Sequence, residues 1–199
     1  MNFKKLQAMQ AKLDEAILAD KAPMTQEERF NKTLVALSVE IAEIANTVEH
    51  FKFWKDNKGK IDYDRFDVDW DYEGTRIIGY YDYKKGAAYQ ISYEQAHRLT
   101  LIEECSDALH FILSLANQIE HDINLNQGIK YTKEEMYLLM QSSACLMMVG
   151  SSIHTLSNFN LLVNYFFSYV SELGINEQEL EHAYYDKNKI NYERLENGY

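Results

Sequence analysis

A chain of 199 residues, 46% hydrophobic and 26% charged, has the make-up of one globular domain, or one domain carrying an insertion. Its formal net charge of -11, with no basic face visible in the sequence, excludes direct nucleic-acid binding but leaves a metal–polyphosphate complex open as a ligand. One proline and eight glycines are too few to punctuate a β-rich fold, so long helices are expected.

Residues 3–20 carry Leu6, Met9, Leu13 and Ile17 at helical spacing and predict a first helix. After Pro23, the run Thr25-Gln26-Glu27-Glu28 offers a capping box for a second helix, whose apolar positions lead to about Trp54. Residues 56–91 change character. A charged turn precedes the alternating stretch Tyr63 to Tyr72, and a β-branched and aromatic run from Thr75 to Tyr83 follows. This reads as an insertion holding a small hairpin or an extended arm. Ser92-Tyr93-Glu94-Gln95 and Thr132-Lys133-Glu134-Glu135 open two further helices, the second running to near Thr155. A fifth helix is predicted over 158–173, closed by Gly174, and a sixth from near Asn176 almost to Asn197. The expected fold class is an all-α antiparallel bundle, one domain over 1–199 with a non-helical insertion between the two carboxylate helices. Cys105 and Cys145 lie in apolar helical contexts and are both expected to be buried thiols. With no secretory h-region and no apolar run near the ~20 residues that span a bilayer, the expectation is no membrane and a cytoplasmic location.

Two carboxylate pairs carry the chemistry. Glu40-x-x-Glu43 lies on the second helix, and Glu104-x-x-Asp107, preceded by Glu103, lies on the helix after the insertion. Residues three apart share a helix face, and carboxylates among apolar neighbours are costly unless paired or metal-bound. Antiparallel packing would gather both pairs into a nest for a hard divalent cation. On the terminal helix, Lys187, Asn191 and Arg194 follow i, i+4, i+7 spacing and line one face suited to a phosphate chain. Lys55, just past the first carboxylate helix, is a further basic candidate.

Four segments, in order, resemble the dimeric all-α dUTPases of the MazG-like NTP pyrophosphatase superfamily. They are Leu6-Gln7-Ala8-Met9-Gln10-Ala11-Lys12-Leu13-Asp14, then Glu40 to Asn46 with Phe51-Lys52-Phe53-Trp54-Lys55, then Glu104 to Phe111, and finally Lys187 to Arg194 with Asn197-Gly198-Tyr199. The resemblance implies a homodimeric, Mg²⁺-dependent enzyme cleaving dUTP at the α-phosphate to dUMP and pyrophosphate. By it, Glu40, Glu43, Glu104 and Asp107 hold the metal, and one of the first pair activates water. Lys187, Arg194 and Lys55 clamp phosphates, while Gln10, Trp54 and Asn191 contact the nucleoside. The long stretch 56–91 departs from a compact family member and is open to a lid, an arm or a regulatory protein partner.

Other readings compete. A related pyrophosphohydrolase acting on dCTP, or broadly, would share the carboxylates and differ only at the base. A ferritin-like di-metal oxidase needs two Glu-x-x-His pairs; Glu179-x-x-His182 is one, and Asp107-x-x-His110 only approaches the second. A regulatory interaction module would use the acidic, tyrosine-rich segment from Tyr63 to Tyr83. His50, His97, His121 and His154 show no usable spacing.

Overall fold

The structure is a computed structural model and describes residues 1–19, 21–85, 89–125, 130–149 and 152–198. Six helices make the bundle: α1 Phe3–Ala19, α2 Gln26–Val48, α3 Tyr93–Gln118, α4 Lys133–Val149, α5 Ser152–Glu172 and α6 Glu177–Glu196. The expected capping boxes form. The Thr25 hydroxyl accepts the Glu28 N–H while the Glu28 carboxylate accepts the Thr25 N–H, and Ser92 and Gln95 exchange the same pair of bonds. Asn176 caps α6 in the same reciprocal way.

Two helix ends differ from expectation. α2 stops at Val48, well before Trp54, because Glu49 turns left-handed (φ 56°) and its N–H returns to the Ala45 carbonyl. The Glu49 carboxylate is buried and accepts bonds from Lys52, Lys55 and the Gly59 N–H. Burial opposes ionisation there, but these donors outweigh it and hold the carboxyl down at about 2. A satisfied buried anion thus fixes the chain reversal. The α4–α5 break falls between Val149 and Ser152, earlier than the apolar pattern placed it, since hydrophobic residues run through both helices. The two cysteines also part company. Cys105 is buried, whereas Cys145 is exposed on the outer face of α4.

Thr33 meets Gln118, and Glu40 lies close to Asp107, so α2 and α3 run antiparallel. Their inward stripes, Leu37, Ile41 and Ile44 against Leu109, Ile112 and Leu113, form the core with Phe159, Phe166 and Tyr169 of α5. α1 and α6 close the other side of α3: Asn117 donates to the Gln7 carbonyl, and Leu6 and Tyr184 are fully buried.

The insertion forms an antiparallel sheet in the order β1 (Phe66–Trp70), β2 (Ile77–Asp82), β3 (Gln90–Ile91), with one 3₁₀ turn at Tyr83–Lys85. The expected hairpin is there, and a third strand of two residues, too short to read from periodicity, completes it. Gly79 makes room for the Gln90 side chain, since a Cβ would lie 2.6 Å from Gln90 Nε2. A separate small core of Ile61, Phe66, Tyr80 and Ile91 docks the sheet on Ala96 of α3. Among the described residues, no helix is long and apolar enough to cross a membrane.

Candidate functional site

The two carboxylate helices lie side by side, and their acids converge. Ligand oxygens of Glu40, Glu43 and Glu104 all lie within 4.8 Å of one another. Such crowding is unfavourable among anions. Burial first, then the charges of Asp107 and Glu43, push the Glu40 carboxyl up to about 7. Burial, then Glu43, Asp107 and Glu40, push Glu104 up to about 8. The cluster therefore holds protons near neutral pH where a cation would serve better.

Asp107 stands slightly apart from the trio. Its Oδ2 accepts a 2.6 Å bond from Lys187 Nζ, and burial still leaves its carboxyl raised. The ammonium of Lys187 is raised too: burial opposes the charge, but Asp107 and Glu103 outweigh it.

Glu40 and Asp107 also line a groove of about 580 Å³ between α1, α2, α3 and α6. Leu13, Ile17, Met24 and Phe111 give it an apolar wall, while Lys21, Arg29, Lys32, Lys187 and Arg194 ring it with cations. In a chain of net charge -11 this concentration of basic groups is local and directional. Lys187, Asn191 and Arg194 all face the groove, as their spacing on α6 predicts.

The groove floor is a buried hydrogen-bond network. Gln10 Nε2 donates to Asp14 Oδ1 at 2.8 Å; a carboxylate only accepts, so the amide orientation is fixed. Gln10 Oε1 then faces His110 Nδ1 at 2.8 Å and the Tyr184 hydroxyl at 3.2 Å, so Nδ1 carries the imidazole proton. Asp14 Oδ2 accepts from Ser114 Oγ at 2.7 Å and from Arg29 at 2.9 Å. His110 stacks on Tyr184 with ring centroids 4.3 Å apart.

Burial, with Lys187 nearby, pulls the His110 pKa down to about 3. The unfolded chain therefore takes up this proton near the ordinary value of about 6.5 while the folded protein refuses it. Stability from this residue is complete above about pH 6.5 and is lost as pH falls toward 3, at up to about 1.4 kcal/mol per pH unit. His110→Gln is expected to flatten that acid limb in urea-melt series between pH 7 and 4. An unchanged limb would assign it to other groups.

Sequence reasoning did not single out Asp14, Arg29, His110 or Ser114 as groove residues. Asp14 sits one turn beyond Gln10 and His110 one turn beyond Asp107, a shared-face signal that would have found both. Arg29 and Ser114 carry no such signal. Trp54 and Lys55 do not line the groove; Trp54 is exposed, and Lys55 is bonded to Glu49. Glu179 pairs with Arg98 at 2.7 Å, and it lines a second groove with His182, to which none of Glu40, Glu43, Glu104 and Asp107 contributes.

Acids meeting beside a cation-lined groove are an arrangement suited to a metal-bound polyphosphate. The family model described as dUTPase matches residues 2–67 and 91–199. The chain belongs to this all-α dUTPase family, whose activity is that of a dUTP diphosphatase. A comparison with curated proteins gave no match. The family match lapses over 68–90, within the insertion expected at 56–91, so most of the sheet lies outside it.

Proposed function

We propose that the enzyme hydrolyses dUTP at the α-phosphorus, releasing dUMP and pyrophosphate, with Mg²⁺ held by Glu40, Glu43, Glu104 and Asp107. The observation that carries this reading is the convergence of Glu40, Glu43 and Glu104 within 4.8 Å beside the cation-ringed groove. The donor set fits the ion: hard carboxylate oxygens, of which those of Glu40, Glu104 and Asp107 are raised in pKa by burial and by neighbouring acids. Bound there, Mg²⁺ supplies neutralising charge for the phosphoryl oxygens and lowers the pKa of coordinated water.

The protein's own groups do the rest. Lys187 and Arg194 grip the triphosphate, and Asn191, between them on the same face, adds a hydrogen bond to phosphate or sugar. Gln10, locked by Asp14 and His110, meets the nucleoside at the groove floor. A carboxylate of the Glu40–Glu43 pair orients water and takes its proton as the water oxygen bonds to the α-phosphorus. The bond from that phosphorus to the α–β bridging oxygen breaks, and pyrophosphate leaves. Trp54 and Lys55 have no part in this reading. Turnover in ¹⁸O-labelled water is expected to place the label in dUMP; label in pyrophosphate would move the attack to the β-phosphorus.

The same reading includes a cytoplasmic homodimer. Val35 and Val39 of α2, Leu138, Leu146 and Val149 of α4, and Leu161 of α5 are large apolar side chains left exposed. Exposed apolar side chains on these three helices support an association surface there. Sedimentation velocity is expected to give a dimer for the wild type and a monomer for Leu138→Glu/Leu146→Glu. A wild-type monomer would overturn this part.

A further inference from the structure

We propose that the inserted sheet positions Lys187 for the substrate: Arg65 and Lys84 occupy both carboxylate oxygens of Glu103 and thereby direct the Lys187 ammonium to Asp107. The inference rests on the reading that Lys187 grips the triphosphate.

Glu103 precedes Glu104 by one residue, so it projects about 100° around α3 from the acid cluster. Its Oε2 accepts from Arg65 at 2.9 Å and its Oε1 from Lys84 Nζ at 2.6 Å. Lys187 Nζ stands 3.6 Å from that same Oε1, against 2.6 Å from Asp107 Oδ2. The ammonium thus lies between two carboxylates and is committed to the one on the groove side.

Elementary electrostatics supplies the reason. Glu103 without partners would be a partly buried anion within reach of Lys187 and would compete for it. The two cations bonded to Glu103, one of them shared with Asp82, offset much of its charge, so it still supports the Lys187 ammonium but competes less for its hydrogen bond than Asp107 does. The pair of cations is itself held by the sheet. Asp82, buried at the end of β2, accepts Arg65 through both oxygens at 3.2 and 2.9 Å and also accepts the Lys84 N–H at 3.0 Å. Asp82 and Lys84 fall within 68–90, outside the family match, whereas Arg65, Glu103 and Lys187 fall inside it. Residues from and beside a segment outside the family match thus set the partner of a groove residue, and Arg65 and Lys84 are positioning residues.

The test is a double-mutant cycle read by calorimetric binding of α,β-imido-dUTP with Mg²⁺, each variant first checked by thermal unfolding. Lys187→Met is expected to weaken binding roughly 10- to 100-fold, the worth of one charge-assisted bond. Lys84→Met should weaken it about tenfold. Lys84→Arg should restore it, and Lys84→Met/Glu103→Gln should recover most of the loss because the competing anion is gone. In the Lys187→Met background, Lys84→Met should add nothing. An equal further loss in that background, or no loss from Lys84→Met alone, overturns the inference. Wild-type binding by Lys187→Met would instead overturn the phosphate grip on which it rests.

Discussion

Glu104→Gln is expected to cut turnover roughly a hundred- to a thousandfold while raising the melting temperature of the cation-free protein. The two effects share one cause. Glu104 sits where burial and the charges of Glu43, Asp107 and Glu40 raise its carboxyl to about 8. The folded state holds a proton that the unfolded chain releases near its ordinary value of about 4.3, so stability declines as pH rises from there through about 8. Glutamine keeps the shape and abolishes that decline, a gain of order 1–3 kcal/mol at pH 8, or roughly 3–10 °C. It also removes an anionic oxygen from the proposed cation site. Mg²⁺ should accordingly raise the wild-type melting temperature more at pH 8 than at pH 6, because protons compete with it at the lower pH. The variant should respond far less. A Glu104→Gln enzyme with ordinary turnover, or one that melts lower at pH 8, would contradict the assignment.

Asp14→Ala is the second large effect, and it acts through the groove floor. Asp14 is almost fully buried and accepts bonds from Gln10, Ser114 and Arg29. Truncation leaves a guanidinium and a buried amide without their acceptor, a loss of about 3 kcal/mol. For a chain of this length that is a fall of roughly 6–12 °C in melting temperature. It also frees the Gln10 side chain, whose orientation depends on Asp14. KM for dUTP should therefore rise about tenfold, with kcat changing less, as expected when a positioning contact common to ground and transition states is lost. Asp14→Asn preserves the volume and one acceptor and should fall between the two. Wild-type melting and KM in Asp14→Ala would show that the network does not organise the floor.

Much of this architecture is legible in the residues because helices announce themselves locally. Thr25 with Glu28 and Ser92 with Gln95 fix two helix starts by chemistry that needs no tertiary partner. The i, i+3 carboxylates and the i, i+4, i+7 row on α6 follow from helix geometry alone, and both land at one site. What sequence could not supply is anything decided at a distance. The end of α2 depends on Glu49 finding Lys52, Lys55 and the Gly59 amide around a turn. Asp14 meets Ser114 a hundred residues away, and the two-residue strand β3 exists only because β2 is there to pair with it. The link from Arg65 and Lys84 through Glu103 toward Lys187 joins three parts of the chain, and no local pattern announces it. The different fates of the cysteines have the same origin, since α4 is apolar on both its inward and outward faces.

Every role assigned to the groove depends on the reaction itself. Pyrophosphate release measured with Mg²⁺ across dUTP, dCTP, dTTP, dATP and dGTP, with an EDTA control, tests it most directly. Fast release from dUTP alone, abolished by EDTA, is the expected result. Release that persists in EDTA, a dCTP-led or broad profile, or silence on all five would contradict it.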